Sequence, residues 1–288
     1  MSDLQPTHER VLAASDGQRI HYEYFGDGAR EVVCLFNGLA MHTKAWYPFL
    51  PELTGHFDVL LYDYPGQGDS SADDVAITIP GMAGYLAAIM DELGVARVHA
   101  MGISYGGFVA AEFARLHRDR LHTLTLSGIL LTNEKLFQMY EDLSLRFYRG
   151  GPQAFELYTH YMYEKIFGER FVRAFADKLE AMRQRFHDRY AGTVHALVRL
   201  SEAQDPFFEA LEANHDGYRA VTVPTLIMPG AEDRVMLLPV QRKMCDLFPD
   251  SRWLPVPESG HVVYLERPDV FWPTLRAFMM AKSTSFDA

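Results

Sequence analysis

Three side chains in this sequence could together run acyl chemistry: a serine, a carboxylate and a histidine, each placed where an apolar run ends. Ser104 stands in "GISYG" at 102–106, between the strand-like "RVHA" and an alanine-rich, helix-like run. In a G-x-S-x-G turn of this kind the chain bends too sharply for side chains at the flanking positions. Gly102 and Gly106 supply the clearance, and the hydroxyl is pushed out at the carboxyl end of the strand. Gly107 lets the new helix pack closely against neighbouring strands. A serine hydroxyl is a poor nucleophile at neutral pH, so it needs a base to take its proton, and that base needs a group that fixes its tautomer. Asp233 follows the apolar "TLIMPG" within "AEDRV", and His261 follows "RWLPVPESG", directly after Gly260. Glu232 and Glu266 compete with Asp233 as the acid, and the loop register favours Asp233. Histidine alone says little, because the chain has 12, among them His42, His99 and His160; position after a late strand singles out His261. Asp63 and Asp69 read as turn formers.

Positioning these groups requires a sheet. Two alternating segments, "RVLAAS" and "RIHYEYFG", flank Asp16-Gly17 and read as a hairpin. Apolar runs follow at 31–36, 57–63, 97–101 and 121–128, with helices expected over about 43–53, 79–93 and 105–117. The pattern resumes at 223–230, with a helix at about 237–247, a strand at 252–256 and a last helix at about 269–281. This alternation predicts an α/β fold with a mostly parallel sheet flanked by helices. The final "KSTSFDA" reads as a frayed tail.

Between about 131 and 218 no convincing strand appears, and aromatic residues crowd the first part of the stretch. Phe155, Tyr158, Met162 and Ile166 recur at helical spacing. Such a stripe packs an insertion onto itself or onto the main domain, or walls a substrate pocket at the junction. From Lys165 to Arg199 eight basic residues face four acidic ones, in a chain whose total is −11. Pairs such as Lys165 with Glu169 and Arg173 with Asp177 would make this a solvated helix face. A docking face for an anionic handle, such as coenzyme A or an acyl carrier protein, is the functional alternative.

The order Ser104, Asp233, His261, with "DYPGQGDS" at 63–70, "PGAEDRV" and "ESGHVV", resembles the α/β-hydrolase superfamily over nearly the whole chain. The resemblance implies a core of residues 1–130 and 219–288 and a helical cap of residues 131–218, inserted after the sixth strand. It also implies an oxyanion hole made by the backbone N–H groups of Leu39 and Tyr105. The family often has His-Gly after its third strand, whereas this chain has Asn37-Gly38. Backbone donors do not depend on that side chain, so Asn37 reshapes the loop's supporting bonds. Asn37, Phe155, Tyr158 and Met162 are candidate substrate contacts. The implied activity is hydrolysis of a small-molecule carboxylic ester or thioester with an apolar group. "SYGG" at 104–107, Asn37-Gly38 and the cap's length are also similar to acyltransferases that take 3-hydroxyacyl groups from carrier protein or coenzyme A. A ligand receptor on the same fold is the alternative outside enzymology.

Composition bounds these readings. With 288 residues, 48% of them hydrophobic, the chain can bury a large core. A surplus of 38 acidic over 27 basic side chains argues against a nucleic-acid surface. Cys34 and Cys245 lie far apart and read as small apolar residues, and no leader-like segment opens the chain, so a cytoplasmic setting is expected. No apolar run is long enough to span a bilayer. No metal-ligand spacing, phosphate-binding glycine loop or dinucleotide fingerprint is present, so neither metal nor cofactor is expected.

Overall fold

In β3 (Val32–Phe36), Val33 and Leu35 point to one face of the sheet and Cys34 and Phe36 to the other, and all four are buried. A strand buried on both faces needs helices above and below it. The computed structural model, which describes residues 4–71 and 76–287, supplies them. With β3, the described strands β1 (His8–Ala13), β2 (Arg19–Phe25), β4 (Asp58–Tyr62), β5 (Val98–Ile103), β6 (Leu121–Ser127), β7 (Thr225–Ile227) and β8 (Ser251–Trp253) form one sheet. Its order is β1-β2-β4-β3-β5-β6-β7-β8. β2 pairs antiparallel with β1 and β4, and every other neighbouring pair is parallel. The expected hairpin turn is present, with Gly17 at φ 89°.

Helices α1 (Ile79–Leu93) and α2 (Tyr105–Leu116) cover the Cys34 and Phe36 face. Thr78 caps α1 by accepting from the Gly81 N–H at 3.0 Å, and Gly94 ends it in the left-handed region at φ 70°. Trp46, Leu50 and the last helix cover the other face.

Between β6 and β7 lie α3 (Lys135–Arg149), α4 (Pro152–Ile166), α5 (Glu169–Ala174), α6 (Ala176–Tyr190), α7 (Val194–Glu202), α8 (Asp205–Glu209) and α9 (His215–Arg219), with no strand among the described residues of that stretch. After β7 come α10 (Leu238–Arg242), α11 (Val263–Glu266) and α12 (Pro268–Ala281). No helix among the described residues is long and apolar enough to cross a membrane.

Local chemistry moved several expected boundaries. The helix anticipated at 43–53 is two 3-10 turns, Thr43–Ala45 and Tyr47–Glu52, because Pro48 and Pro51 lack the N–H groups an α-helix would use. Around 237–247, α10 gives way to a 3-10 turn at Lys243–Asp246. The strand anticipated at 252–256 ends at Trp253, short of Pro255, and only Val256 bridges again, to Gly230. The tail is also anchored: the Arg252 guanidinium reaches the Phe286 carbonyl and lies 4.2 Å from its ring centroid, and that ring packs on Phe278.

Candidate active site

Ser104 sits between β5 and α2 at φ 51° and ψ −130°, a conformation that costs about 1–3 kcal/mol for a side-chain-bearing residue. Its surroundings enforce that conformation. A Cβ on Gly102 would lie 2.6 Å from the Gly106 carbonyl oxygen, one on Gly106 2.4 Å from the Phe36 oxygen, and one on Gly107 2.3 Å from Ile129 Cγ2. Each would collide with a neighbour, so the three glycines let α2 start against β3 and β6. The Ser104 N–H donates to the Ser127 oxygen at 2.9 Å, and Gly107 N–H donates to the Ser104 oxygen at 2.7 Å.

His261 and Asp233 come from the loops after β8 and β7. His261 Nδ1 and Asp233 Oδ2 are 2.9 Å apart, and both residues are about 5% exposed. Asp233 is itself fixed: Oδ1 accepts from the Val235 and Met236 N–H groups at 2.8 and 2.9 Å, and Oδ2 from Gln241 Nε2 at 3.1 Å. These donors fix the orientation of the carboxylate toward His261. Burial works against the charged form of His261, but Asp233 and then Glu266 outweigh it, and the imidazole pKa is raised above its ordinary 6.5. With Nδ1–H given to Asp233, Nε2 is the nitrogen left to act as base.

Neither rival acid takes Asp233's place. Glu232 Oε2 accepts from the Glu169 N–H at 2.8 Å. Glu266 Oε2 accepts from Gly168 and Gly260 N–H at 2.7 and 2.9 Å, and Oε1 from Val262 N–H at 3.0 Å. One buried carboxylate therefore grips the backbone on both sides of His261 and the link between α4 and α5. The His261 N–H donates to the Ile166 oxygen at 2.7 Å, and Arg234 donates to the Phe167 oxygen at 2.7 Å. The foot of the helical insertion is bonded to both loops.

Ser104 and His261 line one cavity of about 260 Å³, together with Leu39, Tyr105, Tyr158 and Met162. Among the described residues, neither the Leu39 nor the Tyr105 N–H is engaged by a protein acceptor. The loop that carries Leu39 is braced: Ala40 is at φ 57°, and its carbonyl accepts from the Tyr190 hydroxyl at 2.5 Å. Two expected contacts are corrected. Asn37 is fully buried beneath this loop and outside the cavity lining; it donates to the Tyr62 oxygen at 2.9 Å and accepts from Trp46 Nε1 at 2.7 Å. Phe155 also lies outside the lining, packed with Tyr148, Tyr158 and Leu197, because the one-face stripe on α4 is shared between the insertion's own core and the cavity. Tyr158, Met162 and Ile166 take the cavity side. Glu141 and Gln204 line it as well, and nothing in local spacing marked them.

The other flagged groups are structural. Asp63 is a turn former and more: its carboxylate accepts from Thr43 N–H at 2.7 Å, Asp69 N–H at 3.0 Å and Asn37 Nδ2 at 3.2 Å, and it meets His21 Nδ1 at 3.1 Å. Among the described residues, carboxylate and histidine ligand atoms cluster around His21, with Glu9 and Glu23 or with Asp63 and Asp69. Cys34 is buried, Cys245 is half-buried, and both are free thiols. In the basic stretch the partners differ from those expected. Lys165 pairs with Glu164 at 3.1 Å, Arg173 with Glu169, and Arg170 with Glu258 at 2.9 Å, since the α4–α5 break puts different residues within reach.

A family model described as the alpha/beta hydrolase fold matches residues 31–268. RutD of Pseudomonas savastanoi pv. phaseolicola, which carries the name of a carbamate hydrolase, is 28% identical over 259 residues, covering 88% of this chain and 95% of its own. A poly(3-hydroxyalkanoate) depolymerase of Ectopseudomonas oleovorans is 24% identical over 249 residues, with coverage of 85% and 83%. The crystal structure of MGS-M2, an α/β hydrolase from a Medee basin deep-sea metagenome library, superposes with a TM-score of 0.85 at 21% identity, covering 94% of this chain and 97% of that one. At that identity the likeness speaks to the fold alone. The extent of the family match, together with the sheet order, identifies this chain as a hydrolase of the α/β-hydrolase fold family.

Proposed function

We propose that the protein hydrolyses carboxylic esters or thioesters through an acyl-enzyme formed on Ser104. One observation supports this most: a strained, presented serine shares a cavity with a histidine whose Nδ1 is held by a buried carboxylate. In this reading Ser104 Oγ attacks the carbonyl carbon while His261 Nε2 takes its proton. The developing oxyanion is received by the Leu39 and Tyr105 N–H groups. The imidazolium, stabilised by Asp233, then protonates the departing alcohol or thiol. Water, deprotonated by His261, attacks the acyl-enzyme and releases the acid and the free serine.

The helices between β6 and β7 act as the cap, residues 131–218, and their aromatic and methionine side chains select an apolar group of medium size. The name of the depolymerase relative, which denotes a polyester substrate, supports ester chemistry. Transfer of the acyl group to an alcohol would use the same residues, and no observation favours it over water.

Wild-type and Ser104→Ala proteins should be compared on p-nitrophenyl esters and acyl thioesters of two to sixteen carbons. Loss of serine should lower kcat by about 10⁴ or more. Retained turnover in Ser104→Ala would sink the mechanism.

A further inference from the structure

The cavity wall is mostly apolar, and one spot breaks that pattern. Gln204, at the start of α8, donates from Nε2 to Glu141 Oε2 of α3 at 2.8 Å and to the Ser201 oxygen at 3.4 Å. The pair stands beside Phe137, Tyr140 and Phe108 in the lining, and it takes no part in the Ser104, His261 and Asp233 arrangement. Among the described residues Gln204 is the carboxyl's one hydrogen-bond partner, and Oε1 of this half-buried residue has no protein partner. The charged groups that face it, Asp205 on α8 and Asp142 on its own helix, are both acidic. The pair also borders a surface cleft with Lys135 and Glu209, which puts it at the edge of the cavity.

A carboxyl group at the edge of a mostly apolar cavity, with two acidic side chains as the charges that act on it most, is pushed toward its neutral form. Burial first, and then Asp205 and Asp142, push the Glu141 pKa up to about 8. With Oε2 accepting from Gln204, the proton resides on Oε1 and makes it a donor. A donor with no protein acceptor, lining the cavity, is open to a ligand oxygen that takes the place of water.

We propose that Glu141 and Gln204 form a polar subsite that recognises an uncharged oxygen group, a hydroxyl or a ketone, on the otherwise apolar part of the ester. This rests on the ester-hydrolase reading for what enters the cavity. The substrate class is thereby narrowed from apolar esters to esters with one internal hydroxyl or keto oxygen at a fixed distance from the scissile bond.

The test reads binding without turnover. Ser104→Ala protein is titrated calorimetrically at pH 7 with methyl octanoate and with its hydroxy and oxo derivatives, the oxygen being walked from C3 to C8. One position should bind about tenfold more tightly than methyl octanoate. Adding Glu141→Leu should abolish that advantage, whereas Glu141→Gln, whose amide still donates, should keep it. A folding failure of the leucine variant is met by a second readout. At pH 9.5 the advantage of the oxo ester should vanish with Glu141 intact, because its donor is lost, and persist with Glu141→Gln. Tyr105, Tyr140, Tyr148 and Tyr158, whose phenols interact with Glu141, are shifted well upward by burial and stay neutral there. The proposal is overturned if no oxygen position is preferred, if the preference survives Glu141→Leu, or if an ammonium group at that position binds better than the hydroxyl. Missing preference beside serine-dependent ester turnover would remove the subsite and leave the proposed activity. Serine-independent turnover would do the reverse.

Discussion

Asp233 is held by four hydrogen-bonding contacts, and only one of them goes to His261. In an Asp233→Asn protein the amide oxygen would still meet the two backbone donors at Oδ1, while the NH₂ in place of Oδ2 would face both Gln241 Nε2 and His261 Nδ1 and force the wrong tautomer. A kcat about 10⁴-fold lower is expected, with the fold kept. The same carboxylate raises the His261 pKa, and in the proposed mechanism the neutral imidazole is the base. kcat/KM should therefore fall as pH drops through a midpoint above 6.5, and the substitution should move that midpoint to lower pH. An unmoved acid limb in the pH–rate profile would mean that another group sets it. The serine, acid and histidine that the proposed mechanism uses could be singled out in the sequence because each stands at the end of an apolar run, with glycines marking two of the three. Asn37 was not legible in this way: only burial against Trp46 and Tyr62 reveals it as a brace for the loop above.

Short elements also tie the loops together. α11 is one turn long, yet its Glu266 satisfies three backbone N–H groups from two distant parts of the chain. Replacing Glu266 by Gln leaves a single acceptor oxygen and turns an NH₂ toward backbone donors. We expect a loss of about 2 kcal/mol in urea unfolding, and a fall in kcat larger than any rise in KM, because the strands of backbone flanking His261 lose their anchor. Unchanged stability would show that water replaces the carboxylate at no cost. Loop register favoured Asp233 over Glu266 in the sequence, but it could not show that Glu266 turns toward the backbone beside His261. The proline-broken segments at 43–52 show a related limit: apolar periodicity marked a helical region, and the prolines converted it to 3-10 turns.

At the scale of the molecule, a neutral acid in a folded wall couples stability to pH. Glu141 ordinarily titrates near 4.5 and is pushed up to about 8 in the fold. Between those values the folded state binds more protons than the unfolded one, so stability falls as pH rises through that window. Thermal unfolding of Glu141→Gln and wild type at pH 5 and pH 9 should show the variant gaining relative stability at the higher pH. Equal shifts in both proteins would mean that Glu141 is solvated. The succession of strands and helices along the chain, the antiparallel opening hairpin, the place of the helical stretch between β6 and β7 and the position of the three candidate residues at strand ends follow from the sequence by itself, whereas the crossing of β3 and β4 in the sheet order does not. Hydrophobic period, glycine clearance and turn chemistry act over a few residues, so they can be read locally. Which side chains share the cavity was decided only by tertiary structure: α4 divides its apolar stripe between Phe155 inside the insertion and Tyr158 and Met162 at the cavity. Glu141 and Gln204, 63 residues apart, meet only when α3 packs beside the turn leading into α8. Contacts of that kind depend on how helices pack against one another, and no local pattern of residues encodes that.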